Sequence, residues 1–302
     1  MRRRNERVEK RVQASQTIML IDGMSLLFRG YYATAYSGRI MRTSAGVPVN
    51  GIHGFMNYFL DAIETFAPTH VVCCWDMGSQ TFRTDRYDQY KANRGAPPDE
   101  LRPQFDLIKD VMDSFGVPNI GLSGYEADDC IGTLSRLYSE DADTKVQILT
   151  GDHDSLQLLK NNVHVIIMKK GVSNYAVYTP EVLFEEKGVR PEQLVDVKAL
   201  MGDSSDNYPG VKGIGEKTAY KLVCEYGSVA GILDNLADLA PGVRRKIETE
   251  LAMLHLSREL AEIDVQVPIA CLLEDCCWMP DTEQVRQQFE ALELRAFLKR
   301  LG

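Results

Sequence analysis

Thr17-Ile18-Met19-Leu20-Ile21-Asp22-Gly23 is an unbroken apolar run that stops on a carboxylate and a glycine. A run this short and this apolar predicts a strand buried on both faces, ending where the chain turns out to water. The pattern recurs twice. His70-Val71-Val72-Cys73-Cys74-Trp75 stops at Asp76, and Val146-Gln147-Ile148-Leu149 leads through Thr150-Gly151 into Asp152-His153-Asp154. Helix-like spacing fills the intervals, as in Gly54 to Phe66 and Phe105 to Phe115. Buried strands alternating with helices predict an α/β fold with a mainly parallel central sheet flanked by helices. In such sheets ligands bind beyond the carboxyl ends of the strands, where these three terminal acids would gather. One strand ending in Asp is ordinary turn chemistry, but three such strands form a pattern.

A further acidic stretch, Ser123-Gly124-Tyr125-Glu126-Ala127-Asp128-Asp129, opens a segment in which Ala127, Cys130, Ile131, Leu134 and Leu137 recur at the spacing of one buried helix face. Glu126 and Asp129 then share a different face, with Asp128 on its flank. Taken alone, Ser123-x-x-Glu126 also reads as a capping box, and acids in a first helical turn suit the macrodipole. Beside the strand-end acids a second reading gains weight. Two carboxylates about 4 Å apart repel by roughly 4 kcal/mol at an effective dielectric near 20, so a convergent cluster requires counter-charge, which divalent cations usually supply.

The 302 residues, 44% of them apolar, are enough for one large or two medium domains with a real core. The seven cysteines are odd in number, include two adjacent pairs and form no C-x-x-C, which argues against a disulfide framework or a zinc site and for a reducing cytoplasm. No apolar run approaches the roughly 20 residues a membrane helix needs, and the N-terminus lacks a signal-peptide core. Residues 1–15 are rich in Arg and Lys and poor in large apolar groups, which predicts a mobile basic leader. The formal net charge of −9 looks unsuited to a nucleic-acid partner until Asp22, Asp76, Glu126, Asp128, Asp129, Asp152, Asp154, Asp203 and Asp206 are set aside as site acids, which brings the rest of the chain to neutrality.

Between residues 77 and 110, Arg83, Arg86, Lys91 and Arg94 interleave with Phe82, Tyr87 and Tyr90. Cations and aromatics together suit a single nucleic-acid strand, whose backbone is anionic and whose bases stack, although a solvated connection fits the segment equally well. Val163 to Met168 and Tyr175 to Tyr178 predict further strands, after which the pattern becomes mainly helical. Met201-Gly202-Asp203-Ser204-Ser205-Asp206-Asn207 adds two acids, and Gly210-Val211-Lys212-Gly213-Ile214-Gly215-Glu216-Lys217-Thr218-Ala219 is a glycine turn feeding a helix. Amides freed by glycines at a helix start, with lysines beside them, suit a phosphate backbone. Gly242 to Ile263 and Glu283 to Leu301 show helical spacing without candidate chemistry.

Taken in order, Asp22-Gly23, Trp75-Asp76, Glu126-Ala127-Asp128-Asp129, Thr150-Gly151-Asp152-x-Asp154, Gly202-Asp203-x-x-Asp206 and Gly210 to Ala219 resemble the bacterial 5′-nuclease family, the flap endonucleases and 5′–3′ exonucleases that also form the N-terminal domain of DNA polymerase I. The resemblance runs from about Ile18 to about Leu260. It implies a PIN-like nuclease core over residues 16–197 with a helical arch at about 77–110, and a helical region over 198–302 whose helix–three-turn–helix grips duplex DNA. It also implies two Mg²⁺ or Mn²⁺ ions. Asp22, Asp76, Glu126, Asp128 and Asp129 resemble the ligands of a tighter site, and Asp152, Asp154, Asp203 and Asp206 those of a second. Arg29, Lys91 and Arg94 resemble catalytic cations and Arg83 and Tyr90 substrate-guiding positions. Gly210, Lys212, Gly213, Gly215, Lys217 and Thr218 match the duplex-binding turn, where relatives can also hold K⁺. His153 departs from the basic residue usual at its position.

The implied reaction is two-metal hydrolysis of DNA bearing a 5′ end or 5′ flap, branched or nicked, in the bacterial cytoplasm at the nucleoid, in the company of replication and repair proteins. Hard oxygen donors select Mg²⁺ or Mn²⁺. A stand-alone enzyme and a polymerase fragment both fit. Three alternatives remain: a haloacid-dehalogenase-like phosphatase, which needs an acid where Met24 stands; a PIN-type ribonuclease, which would lack the arch and glycine turn; and a non-catalytic branched-DNA-binding protein, which needs no acid cluster.

Overall fold

The structure, a computed structural model, describes residues 16–35, 38 and 40–300; the expected basic leader lies outside them. Six strands, β1 (Gln16–Asp22), β2 (His70–Cys74), β3 (Asn119–Ile120), β4 (Thr144–Thr150), β5 (Val163–Met168) and β6 (Tyr175–Tyr178), form one sheet in the order β3-β2-β1-β4-β5-β6. The three acid-ending runs are its centre. β1 pairs in parallel with β2, setting Asp22 opposite Cys74, and with β4, setting Ile21 opposite Leu149. Asp22, Asp76 and Asp152 therefore leave the sheet along one edge. Strand order reverses between β1 and β4, which is where an open α/β sheet parts to make a crevice. β6 closes the far edge antiparallel to β5.

Ile18 to Ile21 of β1 are all apolar because both faces of the strand are covered. Met19 and Ile21 join a cluster with Phe55, Phe59 and Trp75, while Ile18 and Leu20 join another with Cys130, Ile131 and Leu134. Each fully buried aliphatic side chain contributes about 1.5–3 kcal/mol, so this strand anchors the acid at its end. Glycine follows Asp22 for a steric reason: a Cβ at Gly23 would lie 2.6 Å from the Trp75 ring.

Several boundaries differ from expectation. The first long helix begins at Asn50 rather than Gly54, because the buried Gln104 carboxamide accepts the amides of Gly51 and Ile52 at 2.7 and 3.1 Å. In the helix Ala127–Tyr138, Leu137 is 37% exposed and Tyr138 is buried instead. At about 3.6 residues per turn, eleven positions return to the starting face and ten fall short of it. Glu126, not Ser123, stands at that helix's N-cap, and its amide donates to the Asp129 carboxylate at 3.0 Å. The span 242–263 is two helices, Pro241–Thr249 and Leu251–Ala261, and the span 283–301 breaks around Glu293, whose φ is 53°. The 77–110 segment holds one short helix, Phe82–Arg86, followed by turns, and ends in the first residues of the helix Gln104–Ser114.

Residues 189–261 build a separate helical cluster around Val197, Leu200, Val211, Ala219 and Ile247. Beyond this cluster the described chain packs back onto the sheet. Ile263, Val267 and Cys276 return to the sheet face beneath the helix Ala127–Tyr138, and Phe289 and Phe297 return to the opposite face beside Phe115. The sheet requires this, since each face must be capped by apolar side chains. No helix among the described residues is long and apolar enough to cross a membrane.

Candidate metal centre and nuclease site

A cleft of about 710 Å³ opens at the carboxyl edge of the central strands. Of the nine candidate acids, Asp22, Asp76, Glu126, Asp128, Asp152, Asp154 and Asp203 line it. Asp22 is fixed from two directions: the Ser25 amide donates to Oδ1 at 2.8 Å and the Thr150 hydroxyl to Oδ2 at 2.7 Å. Asp76 accepts the Ala127 amide at 2.6 Å, which ties the end of β2 to the start of the neighbouring helix. Asp152 accepts the Asp154 amide at 2.9 Å.

Burial, together with the charges of Asp76 and Asp152, raises the Asp22 carboxyl to about 6. Burial and the charges of Asp22 and Asp152 push Asp128 well above the usual carboxylate range. Burial and Asp152 raise Asp154 to about 6. Asp128 Oδ1 is buried with no hydrogen-bond partner. A buried carboxylate oxygen aimed among like charges is the environment a hard cation relieves, so the donor chemistry fits a divalent metal.

The acids do not form a ready ligand set; among the described residues no three histidine, cysteine or carboxylate side chains are gathered for a metal. Protein cations hold them instead. Lys91 Nζ donates to Glu126 Oε2 at 2.8 Å and lies 3.9 Å from Asp206. Arg94 pairs with Asp206 at 2.6 Å. Lys198 pairs with both Asp154 and Asp203. Burial alone would raise Asp203, but hydrogen bonds from Lys198 and Ser205 outweigh it and hold the carboxyl down at about 2.

Two of the acids stand apart. Asp206 sits behind Tyr90, whose hydroxyl donates to it at 2.9 Å. Asp129 is wholly buried and forms a two-bond pair with Arg83 at 2.8 Å each, while the amides of Glu126 and Asp264 fill its remaining acceptor positions. This arrangement leaves Asp129 no oxygen for a metal.

Arg83 differs from the substrate-guiding expectation for the same reason. It is 2% exposed, and its other bonds go to the carbonyls of Leu260 and Glu262. Tyr90 is 4% exposed, with its ring stacked 6.5 Å from Tyr208, so it presents no free face to a base here. Arg29 donates to the carbonyls of Met168 and Lys169 at the end of β5. A Cβ at Gly151 would fall 3.2 Å from its guanidinium, so the arginine lies against the β4 turn.

In the glycine turn, Lys212, Gly213, Gly215 and Lys217 are exposed and Thr218 half-buried. Gly210 is buried and does something else. With φ of 62°, a Cβ there would come 2.3 Å from the Gly202 nitrogen, so Gly202 and Gly210 close the neck of the loop that carries Asp203 and Asp206. Lys198 escaped the sequence reading although it carried a signal, a lysine inside the otherwise largely apolar helix Leu194–Met201.

Comparison with known proteins identifies the family. Residues 17–188 match the family model of the 5′-3′ exonuclease N-terminal resolvase-like domain, and residues 189–284 that of the 5′-3′ exonuclease C-terminal SAM fold. The chain is 53% identical over 281 residues to a 5′-3′ exonuclease of Bacillus subtilis, covering 91% of this chain and 94% of that protein. It is 38% identical over 290 residues to DNA polymerase I of Mycobacterium bovis, covering 96% of this chain but only 32% of the polymerase. Among solved structures, the bacteriophage T5 flap endonuclease in a pseudo-enzyme-product complex with DNA and metal ions shares the fold, with a TM-score of 0.66 at 22% identity, covering 95% of this chain and 98% of that one. The phosphatase, ribonuclease and non-catalytic alternatives fall away, and this chain belongs to the 5′-3′ exonuclease family of enzymes.

Proposed function

We propose that the chain is a divalent-metal-dependent 5′ nuclease that cleaves 5′ flaps and trims 5′ ends of nicked or branched DNA, working in the bacterial cytoplasm at the nucleoid during replication and repair. The observation that carries the metal requirement is Asp128 Oδ1, a buried oxygen with no partner in a cleft lined by seven carboxylates. Asp22, Asp76, Glu126 and Asp128 would hold one Mg²⁺ or Mn²⁺ ion, and Asp152, Asp154, Asp203 and Asp206 a second. Bound there, the ions supply Lewis-acid activation of water and neutralisation of charge at the scissile phosphate. Asp129 acts through Arg83, fixing the first turn of the helix that presents Glu126 and Asp128.

The remaining steps belong to side chains of this chain. Lys91, released from Glu126, donates to a non-bridging phosphate oxygen as charge develops on it. Arg94 supports it from the exposed side, and Arg29, braced on the end of β5, adds positive potential beside Gly151. Tyr90 orders the loop that carries Asp206, and becomes a stacking face only if the 77–110 segment lifts away. Lys212, Lys217 and the amides around Gly213 and Gly215 track the duplex backbone, with Thr218 at the helix start. The carbonyls of this turn are also where a K⁺ ion would bind. The deciding experiment incubates end-labelled 5′-flap, nicked and single-stranded DNA with and without Mg²⁺ and reads product lengths on a gel. Short 5′ products that vanish with EDTA are expected, and uncleaved flap substrate in Mg²⁺ sinks the proposal.

A further inference from the structure

Lys198 is held in place on both sides. Its ammonium hydrogen-bonds Asp203 Oδ2 and pairs with Asp154 Oδ1, and all three side chains are largely withdrawn from water, at 20%, 12% and 17% exposure. Its backbone is fixed as well, because the Lys198 carbonyl accepts the Gly202 amide at 2.8 Å at the end of its helix. The ammonium can leave the acids only by rotation of its four-carbon stem. Asp154 and Asp203 come from different elements, the turn after β4 and the glycine-necked loop, and lie on either side of the one ammonium.

We propose that Lys198 is a resident counter-ion that competes with a divalent cation for the Asp154–Asp203 pair and so sets how tightly that half of the cleft holds metal. This rests on the metal-dependent reading of the cleft. A point charge with three rotatable donors can satisfy two carboxylates while the metal is away, and a doubly charged ion can displace it. A guanidinium with fixed fork geometry would be harder to displace, and the pair of Arg83 with Asp129 shows that alternative in the same molecule. Lys198 thereby keeps the two acids close enough for later ligation without leaving them to repel each other. The cost is weaker metal binding than the bare acids would give.

The test uses metal-free full-length chain titrated with Mn²⁺, followed by calorimetry and by the loss of the free-ion electron paramagnetic signal, with Lys198→Gln, Lys198→Arg and Asp203→Asn beside the wild type. Lys198→Gln should bind the weaker of two Mn²⁺ ions at least tenfold more tightly than wild type, Lys198→Arg should bind it more weakly than wild type, and Asp203→Asn should lose that site. If removing the ammonium loosens the metal-free fold, Mn²⁺ should raise the melting temperature of Lys198→Gln by more than it raises that of wild type. Equal or weaker binding by Lys198→Gln, with no larger thermal shift, would overturn the proposal and leave Lys198 as a group that only positions the acids. A wild type that binds no Mn²⁺ would overturn the metal reading itself and this inference with it.

Discussion

The two sides of the acid cluster solve the same electrostatic problem with different cations. On the Glu126 side, Arg83 and Asp129 are 2% and 0% exposed and every acceptor position of the carboxylate is filled. On the Asp154 side, one lysine serves two carboxylates at the wall of an open cleft. The first arrangement is permanent structure, because taking either partner away strands a buried charge. The second is an exchangeable one. Acids of similar appearance in the sequence therefore divide into those that build the site and those left to work in it.

The largest expected effect lies on the permanent side. Arg83→Leu should destabilise the fold by about 3–5 kcal/mol, the usual result of leaving one member of a buried pair uncompensated, and the double variant with Asp129→Leu should recover part of the loss. Denaturant unfolding of both variants measures this, and a change under 1 kcal/mol in Arg83→Leu would erase the distinction drawn here.

Next comes Lys91→Ala. Charge stabilisation made chiefly in the transition state shows in rate, so single-turnover cleavage of a 5′ flap should fall about 10²-fold while binding in Ca²⁺ changes by only a few-fold. A wild-type rate on bound substrate would return the 77–110 segment to a solvated connection. Asp203→Asn should cut cleavage by tenfold or more, again with flap affinity nearly kept, because a lost ligand disturbs a metal more than it disturbs distant phosphate contacts.

The pH dependence sharpens the contrast further. Asp22 and Asp154 are each raised to about 6 in the metal-free fold, above the usual 3.8, so the folded state binds more protons than the unfolded one between those values. Stability contributed by those protons is present at low pH and is lost as pH rises through about 6, on the order of 1–3 kcal/mol. Saturating Mn²⁺ should abolish that decline, and melting curves across pH 4–7 with and without the ion will show whether it does. The smallest effect belongs to the glycine turn that ends at Thr218. Lys212→Ala with Lys217→Ala should flatten the plot of log affinity against log salt by roughly two units if each lysine meets one phosphate.

What the sequence made legible was local. Asp22, Asp76 and Asp152 could be placed on one edge because each follows its own apolar run, and three parallel strands bring their ends together. The pairing of Arg83 with Asp129 could not be read, since the partners lie 46 residues apart and a two-bond pair leaves no periodic trace. Glycines before a helix suggest phosphate binding for Gly210, whereas its closure of a loop neck against Gly202 depends on a backbone approach that appears only in three dimensions. Composition suggests a base platform at Tyr90, and the structure turns its hydroxyl inward to Glu126 and Asp206.

The return of residues 263–298 to the sheet also bears on how the chain is made. Phe289 meets Phe115 at a ring separation of 5.8 Å and Phe297 meets His53 at 5.0 Å, contacts that join these helices to the first 115 residues. Synthesis runs from the N-terminus at about 5–20 residues per second, so the face bearing Phe59 and Phe115 waits on the order of ten seconds for its cover. During that interval the nascent protein carries its strands and its future site on a half-dressed sheet. Completion of this core thus waits until Phe289 and Phe297 have been made, and a chain stopped short of Phe289 would keep an adhesive aromatic surface.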